Sequence, residues 1–217
     1  MAILETPRLI LRPFDEKDVD QMSELMANPD FMRFSLGPKT HEQTAAFLET
    51  VIGWHRAGLP SPFAVVIRSD AVLVGYCGFL HQEIDGEKEI EIGYRLHPDY
   101  WNRGIATEVA RKVRDHAFSD LKLPRVISLI HYNNTPSRRV AEKIGMTFEK
   151  ENPLQRFSDS SVRPDSRAVA DERCRRTNSR ASARYAFAPT PFGSYSRMDL
   201  PKLGASPRRM LRGITVS

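Results

Sequence analysis

The stretch Ile90-Glu-Ile-Gly-Tyr-Arg-Leu-His-Pro-Asp-Tyr-Trp-Asn-Arg-Gly-Ile-Ala-Thr-Glu108 decides the fold of this chain. Large apolar residues occupy every second position from Ile90 to Leu96, which is the period of a strand. Pro98 ends that strand, because proline has no N–H and restricts the residue before it. The apolar residues after Gly104 are spaced for one buried helix face, and they are Ile105, Val109, Val113 and Ala117. The stretch therefore predicts a strand, a short loop and a helix.

The loop between this strand and this helix is composed of small residues and one cation. It runs from Asn102 to Ala106, and its cation is Arg103. A helix start offers unpaired backbone N–H groups and the positive end of the helix dipole, and both features stabilise a bound phosphate or pyrophosphate. The loop is therefore a candidate anion site.

The segment Tyr100–Glu108 resembles motif A of the GNAT N-acetyltransferase superfamily, and in particular its ribosomal-protein N-terminal (alanine/serine) acetyltransferase subgroup. The family's general form has glycine where Gly104 stands and Gly or Ala where Ala106 stands. Trp101 occupies a position where Arg or Gln is usual, which the subgroup accounts for, and Arg103 is left as the loop's only cation. The resemblance implies that acetyl-CoA is the co-substrate and that the loop cradles its pyrophosphate. The implied CoA-binding residues are Tyr94, Leu96, Asn102, Arg103, Gly104, Ile105, Ala106, Thr107 and Asn134.

A second stretch, Asn133–Met146, resembles the family pattern Asn-x-x-Ser-x-x-x-x-Glu-Lys-x-Gly-Phe/Met. Two such stretches in the right order are far more specific than either alone. The resemblance implies that Asn134 lies near the pantetheine arm and that Ser137 protonates the leaving thiolate. The alternative is that Ser137 is a first-turn helix residue that only satisfies a backbone group.

The chemistry that the resemblance implies is attack of a free amine on a thioester carbonyl. A backbone N–H from a bulged strand stabilises the oxyanion, and the family places that bulge near Gly93 and Tyr94. Glu91 is the candidate that accepts the amine's proton, directly or through water. The alternative is a structural Glu91 that is held by an arginine such as Arg95. We expect Glu108, in the first turn of its helix, to be a structural partner.

The order of predicted elements is β-α-α-β-β-β-α-β-α-β, which favours an α/β (α+β) chain with a mixed central sheet flanked by helices. With the resemblance, this order predicts a GNAT domain over residues 1–154. Family members usually close the sheet with a final strand, and only Tyr185-Ala-Phe187 is a weak substitute here.

Beyond residue 154 the composition changes to Ser, Arg, Pro and Ala. Residues 1–154 contain 19 Lys and Arg and 22 Asp and Glu. Residues 155–217 contain 13 Lys and Arg, of which 12 are arginines, and only 5 Asp and Glu. We expect residues 155–217 to be a disordered or loosely packed tail. A shifted reading frame in the last third would also produce this change.

Other features limit the class of protein. No apolar run is long enough to cross a membrane, and the N-terminus lacks the pattern of a signal peptide, so a soluble cytoplasmic protein is expected. The two cysteines, Cys77 and Cys174, are too few and too far apart for a disulfide framework or a zinc site, and no metal is expected. Cys77 sits in an apolar strand and is expected to be inert core.

The sequence thus predicts an acetyl-CoA-dependent N-acetyltransferase that works by direct attack in a ternary complex. The alternative is a CoA-binding module that no longer transfers acetyl because its C-terminal strand is altered. The acceptor stays open among a ribosomal-protein N-terminus, another protein N-terminus, a polyamine and another small amine. Contact of the basic tail with RNA is a further possibility, although the tail lacks interleaved aromatic residues. Four aromatic residues are candidates for an acceptor groove or for core: Phe31, Phe34, Trp54 and Tyr100.

Overall fold

The computed structural model describes residues 3–153 and 181–187. The eight strands are β1 (Leu4–Glu5), β2 (Leu9–Arg12), β3 (Pro62–Ile67), β4 (Leu73–Ile84), β5 (Glu87–Leu96), β6 (Val126–His131), β7 (Thr147–Pro153) and β8 (Ala181–Phe187). The four α-helices are α1 (Val19–Ala27), α2 (His41–Arg56), α3 (Ile105–Ser119) and α4 (Thr135–Lys143). None of the helices in these residues is long and apolar enough to span a membrane.

All eight strands belong to one sheet, in the order β1-β2-β3-β4-β5-β6-β8-β7. Only β5 and β6 are parallel neighbours, because α3 crosses over between them, and the other pairs are antiparallel. This mixed sheet with flanking helices confirms the predicted fold class. The side chain of Asp15 caps a short 3-10 turn that leads into α1.

The sheet separates two hydrophobic cores. Apolar residues of α3, such as Val109 and Val113, pack with Ile92 of β5 in one core. Apolar residues of α1 and α2, such as Met22 and Leu48, form the other. Because successive side chains of a strand point to opposite faces, β5 presents Ile92 and Tyr94 toward α3 and presents Glu91, Gly93 and Arg95 toward α1 and α2.

Strand β8 lies inside the segment that the sequence placed in a tail. It inserts between β6 and β7 and pairs antiparallel with both. Tyr185 is buried in the α3 core, and the guanidinium of Arg184 forms ion pairs with Glu89 and Glu149. The weak signal Tyr185-Ala-Phe187 therefore marks the closing strand, which corrects the expectation for residues 181–187. The rest of the predicted tail lies outside the described residues.

The sequence could not predict this strand from its period. Arg184 and Ser182 interrupt the apolar pattern, yet the free edges of β6 and β7 supply backbone partners for all seven residues of β8. The buried Arg184 is stabilised by carboxylates from distant parts of the chain, which a local pattern does not reveal.

Candidate active site

The loop before α3 has the backbone of an anion site. Asn102 and Gly104 have φ values of 59° and 75°, in the left-handed region, and α3 starts directly after Gly104. The first hydrogen bond of the helix runs from the N–H of Glu108 to the carbonyl of Gly104. Within the described residues, the N–H groups of Ile105, Ala106 and Thr107 therefore have no acceptor, and they are available to an anion.

Neighbouring side chains hold this loop in place. The indole N–H of Trp101 donates to the carbonyl of Leu96 at 2.7 Å, which ties the loop to the end of β5. Arg8 donates to the carbonyl of Arg103 at 3.0 Å, and its guanidinium also forms an ion pair with Glu108 at 2.6 Å. Glu108 is thus a structural partner, as expected. The guanidinium of Arg103 lies 5.6 Å from the centre of the Tyr100 ring.

A groove of about 580 Å³ continues from this loop along α3. Besides Gly104 and Thr107, its lining includes three cationic side chains, Arg111, Lys112 and Lys143. It also includes the carboxylates of Glu5, Glu108 and Asp115, each of which forms an ion pair with an arginine outside the lining. Sequence reasoning named only Arg103 as a cation of this site and missed the three cations of the lining. The signal was present for Arg111, because residues 104, 107 and 111 are spaced to lie on one helix face.

The strands β5 and β6 separate next to Glu91, one of the two predicted catalytic residues. Their parallel ladder has one register pair, Glu91 with Ile127. Beyond that pair, side chains bridge the strands: the hydroxyl of Ser128 donates to the carbonyl of Ile92 at 2.8 Å, and the N–H of Leu129 donates to the carboxyl group of Glu91 at 3.3 Å. The result is a gap in an otherwise continuous sheet.

A cavity of about 120 Å³ occupies this gap. From the α3 side it is lined by Tyr94, and the adjoining α4 contributes Asn134 and Ser137. The lining from the α1 side includes Phe34, Tyr76, Glu91, Gly93 and Arg95. The two predicted catalytic residues, Glu91 and Ser137, therefore line one cavity from opposite faces of the sheet.

This combination of a helix-start anion site and a split parallel strand pair agrees with the family comparison. Residues 8–147 match the family described as "Acetyltransferase (GNAT) domain". The chain belongs to the GNAT acetyltransferase family. The family and the enzyme class predicted from the sequence, an N-acetyltransferase, are confirmed.

Two curated relatives illustrate what this GNAT chain is similar to. The uncharacterized N-acetyltransferase YnaD of Bacillus subtilis is 31% identical over 147 residues, which cover 67% of this chain and 83% of YnaD. The putative ribosomal N-acetyltransferase YdaF of the same organism is 28% identical over 151 residues, which cover 65% of this chain and 79% of YdaF. The second of these is consistent with the ribosomal-protein subgroup that the sequence resembles.

Solved structures give the same family and fold. A GNAT-family acetyltransferase from Bacillus anthracis has a TM-score of 0.64 and 27% identity, with 86% of this chain and 98% of that chain covered. RimL, a ribosomal L7/L12 alpha-N-protein acetyltransferase in complex with coenzyme A, has a TM-score of 0.67 and 18% identity, with 86% and 98% covered. The second likeness shows the fold alone.

The carboxyl group of Glu91 in this GNAT domain is buried, with 8% of the residue exposed. Burial raises its pKa above the usual range, while hydrogen bonds from Gln82 and the Leu129 N–H and the charge of Arg95 oppose that rise. The Gln82 amide donates to the second carboxyl oxygen at 2.6 Å. Glu91 is therefore held by an amide and a backbone N–H, and the sequence-based alternative of direct pairing with Arg95 is absent among the ion pairs of the described residues.

Asn134 and Ser137 meet at the start of α4. The Asn134 side chain caps the helix by accepting from the N–H of Ser137 at 3.2 Å, and the carbonyl of Ser137 accepts from the hydroxyl of Tyr94 at 3.2 Å. These contacts use the backbone of Ser137, and its side chain, which lines the cavity, is also close enough to Tyr94 to form a hydrogen bond with it. Burial raises the pKa of Tyr94, which keeps its hydroxyl protonated.

The predicted bulge near Gly93 and Tyr94 is absent. The pairing of β4 with β5 runs in regular register from Gly75 with Leu96 to Ile84 with Glu87. The register shift of this region lies instead between β3 and β4, at Val65 and Val66. Gly93 also lacks a positive φ. Its role is steric, because a Cβ there would lie 2.8 Å from Cδ1 of Leu80, on the cavity floor.

Of the four aromatic candidates for an acceptor groove, only Phe34 lines the cavity, and its ring lies 5.6 Å from that of His131. Phe31 is core, Trp54 packs against His81, and Tyr100 lies beneath Arg103. Leu96 and Ile105 are also buried in the α3 core, so their side chains are not surfaces for a ligand. Within residues 3–153 and 181–187, His, Cys, Asp and Glu side chains do not form a group suited to a metal ion.

Proposed function

We propose that this chain transfers an acetyl group from acetyl-CoA to a primary amine, either a protein N-terminus or a small amine, by direct attack in a ternary complex. The observation that carries the proposal is the gap between β5 and β6, where the buried carboxyl group of Glu91 and the α4 residues Asn134 and Ser137 line one cavity. A ligand that enters from the α3 side meets an acceptor that enters from the α1 side in this gap.

The residues of the α3 side fit coenzyme A. The free N–H groups of Ile105, Ala106 and Thr107 suit its pyrophosphate, and the cationic groove with Arg111 and Lys143 suits its remaining phosphate. Asn134 and Ser137 line the cavity in the gap, on the side from which the thioester would enter. The co-substrate supplies a thioester, whose carbonyl carbon is the electrophile.

Backbone groups of β5 supply the oxyanion donor without a bulge. The carbonyls of Ile92 and Leu96 face away from β4, since they accept from Ser128 and from Trp101. Alternate residues of a strand direct their backbone groups to the same side, so the N–H of Tyr94 points into the gap as well. Such a donor contributes about 3 kcal/mol to transition-state stabilisation.

Glu91 accepts the proton of the attacking amine. Its raised pKa makes it a stronger base than an exposed carboxylate, and its place on the α1 side matches the approach of the acceptor. An α-amino group, with a pKa near ~8, needs less help from this base than a lysine near ~10.4. The hydroxyl of Ser137, on the α3 side, protonates the departing thiolate.

Direct attack is favoured over an acyl-enzyme because Cys77 is unsuitable as a nucleophile. It is fully buried, and burial raises the pKa of its thiol far above the usual range. Cys174 lies outside the described residues. The presence of β8 supports a transferase over a CoA-binding module, because that alternative rested on an altered closing strand.

The test is an acetyl-CoA consumption screen on the full chain across peptide N-termini, polyamines and other small amines, with coenzyme A binding measured in parallel. We expect CoA release with one of these classes and an initial-rate pattern of a ternary complex. Tight CoA binding without turnover on any class would overturn the proposal and favour the binding module.

A further inference from the structure

The acceptor side of the cavity contains a guanidinium that has neutral partners only. Arg95 donates from Nε to the hydroxyl of Tyr76 at 3.1 Å and from Nη1 to the carbonyl of Phe31 at 3.0 Å. Its side chain lines the cavity together with Glu91 and Gly93. The two contacts fix the plane of the guanidinium, so its remaining N–H groups have a defined direction.

A count of donors shows what is left. A guanidinium has five N–H donors, and the two contacts above use two of them. Among the ion pairs of the described residues, Arg12, Arg125 and Arg184 each pair with a carboxylate, whereas Arg95 does not take part in any. The Arg95 guanidinium is half-buried and makes no ion pair with a described carboxylate, although its charge acts on Glu91. Its unused donors can therefore form charge-assisted hydrogen bonds with an anion that a ligand carries.

Glu91 lies on the same face of β5 as Arg95, at the other end of the cavity lining. Glu91 and Arg95 are four residues apart on one strand, so their Cα atoms are separated by about 13 Å. Gly93 lies between them and places no side chain on the cavity floor. The face thus offers a proton acceptor at one end and a fixed cation at the other, over the length of a small ligand.

We infer that Arg95 binds a carboxylate carried by the acceptor close to its reactive amine. The inference rests on the proposed acetyl transfer and narrows its acceptor to an amino-acid-like amine. The cavity volume of about 120 Å³ fits such a group. The carboxylate belongs either to a free amino acid or to an acidic first residue of a peptide, and the two sources have the same chemistry at Arg95.

The test compares acceptors that differ only in the carboxylate. One pair is alanine with alaninamide, and the other is a peptide that starts with Asp and the same peptide that starts with Asn. All four are assayed at equal concentrations of neutral amine. We expect kcat/KM to be about tenfold to a hundredfold higher for the carboxylate member of one pair. The pair that discriminates identifies the source.

Substitution then assigns the preference to Arg95. Arg95→Gln is expected to lower kcat/KM of the carboxylate member to that of the uncharged member, so that the preference is lost, while Arg95→Lys restores part of the preference. Arg56→Gln is the matched control, because Arg56 is an exposed arginine whose ion pair with Glu16 lies away from both the cavity and the groove. Absence of discrimination in both pairs would overturn the inference. If Arg95→Gln lowers kcat/KM equally for both members of a pair, the inference is also overturned, since this would show that Arg95 only holds Phe31 and Tyr76 in place.

A binding measurement separates this inference from the proposed function. Calorimetric titration of the CoA-loaded protein with the same amines needs no turnover. Tighter binding of a carboxylate member, lost in Arg95→Gln, supports the inference even if no amine is acetylated, in which case the transfer proposal fails alone. Acetylation with equal binding of both members leaves the transfer proposal and overturns the role of Arg95.

Discussion

The carboxyl group of Glu91 on β5 accepts a hydrogen bond from the backbone N–H of Leu129 on β6, with an N–O distance of 3.3 Å. The side chain thereby replaces a ladder hydrogen bond at the point where the two strands part. The same carboxyl group lines the cavity in which the proposed reaction takes place. Substitution of Glu91 should therefore change both activity and stability, in ways that pH can separate.

For activity, we expect kcat/KM of the wild type to rise with pH through the raised pKa of Glu91, because the base must be ionised. Glu91→Gln should remove this dependence and lower kcat about 100-fold. Initial rates measured from acid to neutral pH provide the check. The matched variant Glu83→Gln changes an exposed carboxylate of β4 and should behave as wild type. If Glu91→Gln kept the pH profile of the wild type, the general base would be a group other than Glu91.

For stability, the sign follows from the direction of the same pKa shift. The folded state raises the pKa of Glu91 above its ordinary value of 4.5, so folding favours the protonated form. This contribution to stability is complete below about pH 4.5 and is lost as the pH rises through the folded-state pKa. Relative to wild type, Glu91→Gln should gain free energy of unfolding as the pH rises. Urea unfolding of both proteins at several pH values measures this difference, and a constant difference would contradict it.

Gly104→Glu should abolish binding of coenzyme A, because it places a carboxylate at the proposed pyrophosphate site. Gly104→Ala separates charge from backbone strain, since a Cβ there makes only an ordinary contact, 3.7 Å from Nη2 of Arg8, while φ stays at 75°. The alanine variant should lose about 1 kcal/mol of stability and keep most of its affinity. Calorimetric titration with coenzyme A distinguishes the two. Equal affinity in the glutamate variant and the wild type would refute the assignment of this loop.

Ser137→Ala should lower kcat about tenfold or more without changing KM for acetyl-CoA, because the hydroxyl acts on the departing thiolate and the backbone contacts to Asn134 and Tyr94 persist. Ser119→Ala, at the exposed end of α3, is the matched control. Steady-state kinetics with acetyl-CoA varied give both constants. An unchanged kcat would leave Ser137 as a helix residue only.

Tyr185→Ala should lower the free energy of unfolding by about 3 kcal/mol, because 4% of Tyr185 is exposed and its ring packs in the α3 core. For a chain of this size, the melting temperature should fall by roughly 10 °C. Tyr132→Ala removes a ring that is 47% exposed and should have little effect. Thermal unfolding of both variants shows whether β8 belongs to the cooperative domain. If Tyr185→Ala melted at the same temperature as the wild type, β8 would not belong to that domain.

Much of the fold was predictable because its patterns are local. The alternation from Ile90 to Leu96 predicted β5, and the spacing of Ile105, Val109 and Val113 predicted the buried face of α3. Asp15 and Thr40, both of residue types that favour N-cap positions, cap the helical segments that follow them. Such signals require only neighbours in sequence, so they survive without knowledge of the tertiary structure.

The closing strand and the acceptor side were less accessible from the sequence. β8 is stabilised by contacts of Arg184 with Glu89 and Glu149, which precede it by many residues. Arg95 has the alternation of a strand residue, and nothing local shows that its partners are Tyr76 and Phe31. Long-range contacts of this kind depend on how the sheet is assembled.

The strand-loop-helix from Ile90 to Glu108 was determined by the sequence alone, because its alternation, its proline and its left-handed glycine leave few other conformations. The tertiary structure decided what that element faces. The splay of β6 from β5 opens the gap. Leu129 across the gap and Gln82 on β4 hold the buried carboxyl group of Glu91, while Tyr76 and the Phe31 carbonyl fix the direction of the Arg95 guanidinium. Those properties arise from burial and from contacts between distant segments, which the local sequence does not specify.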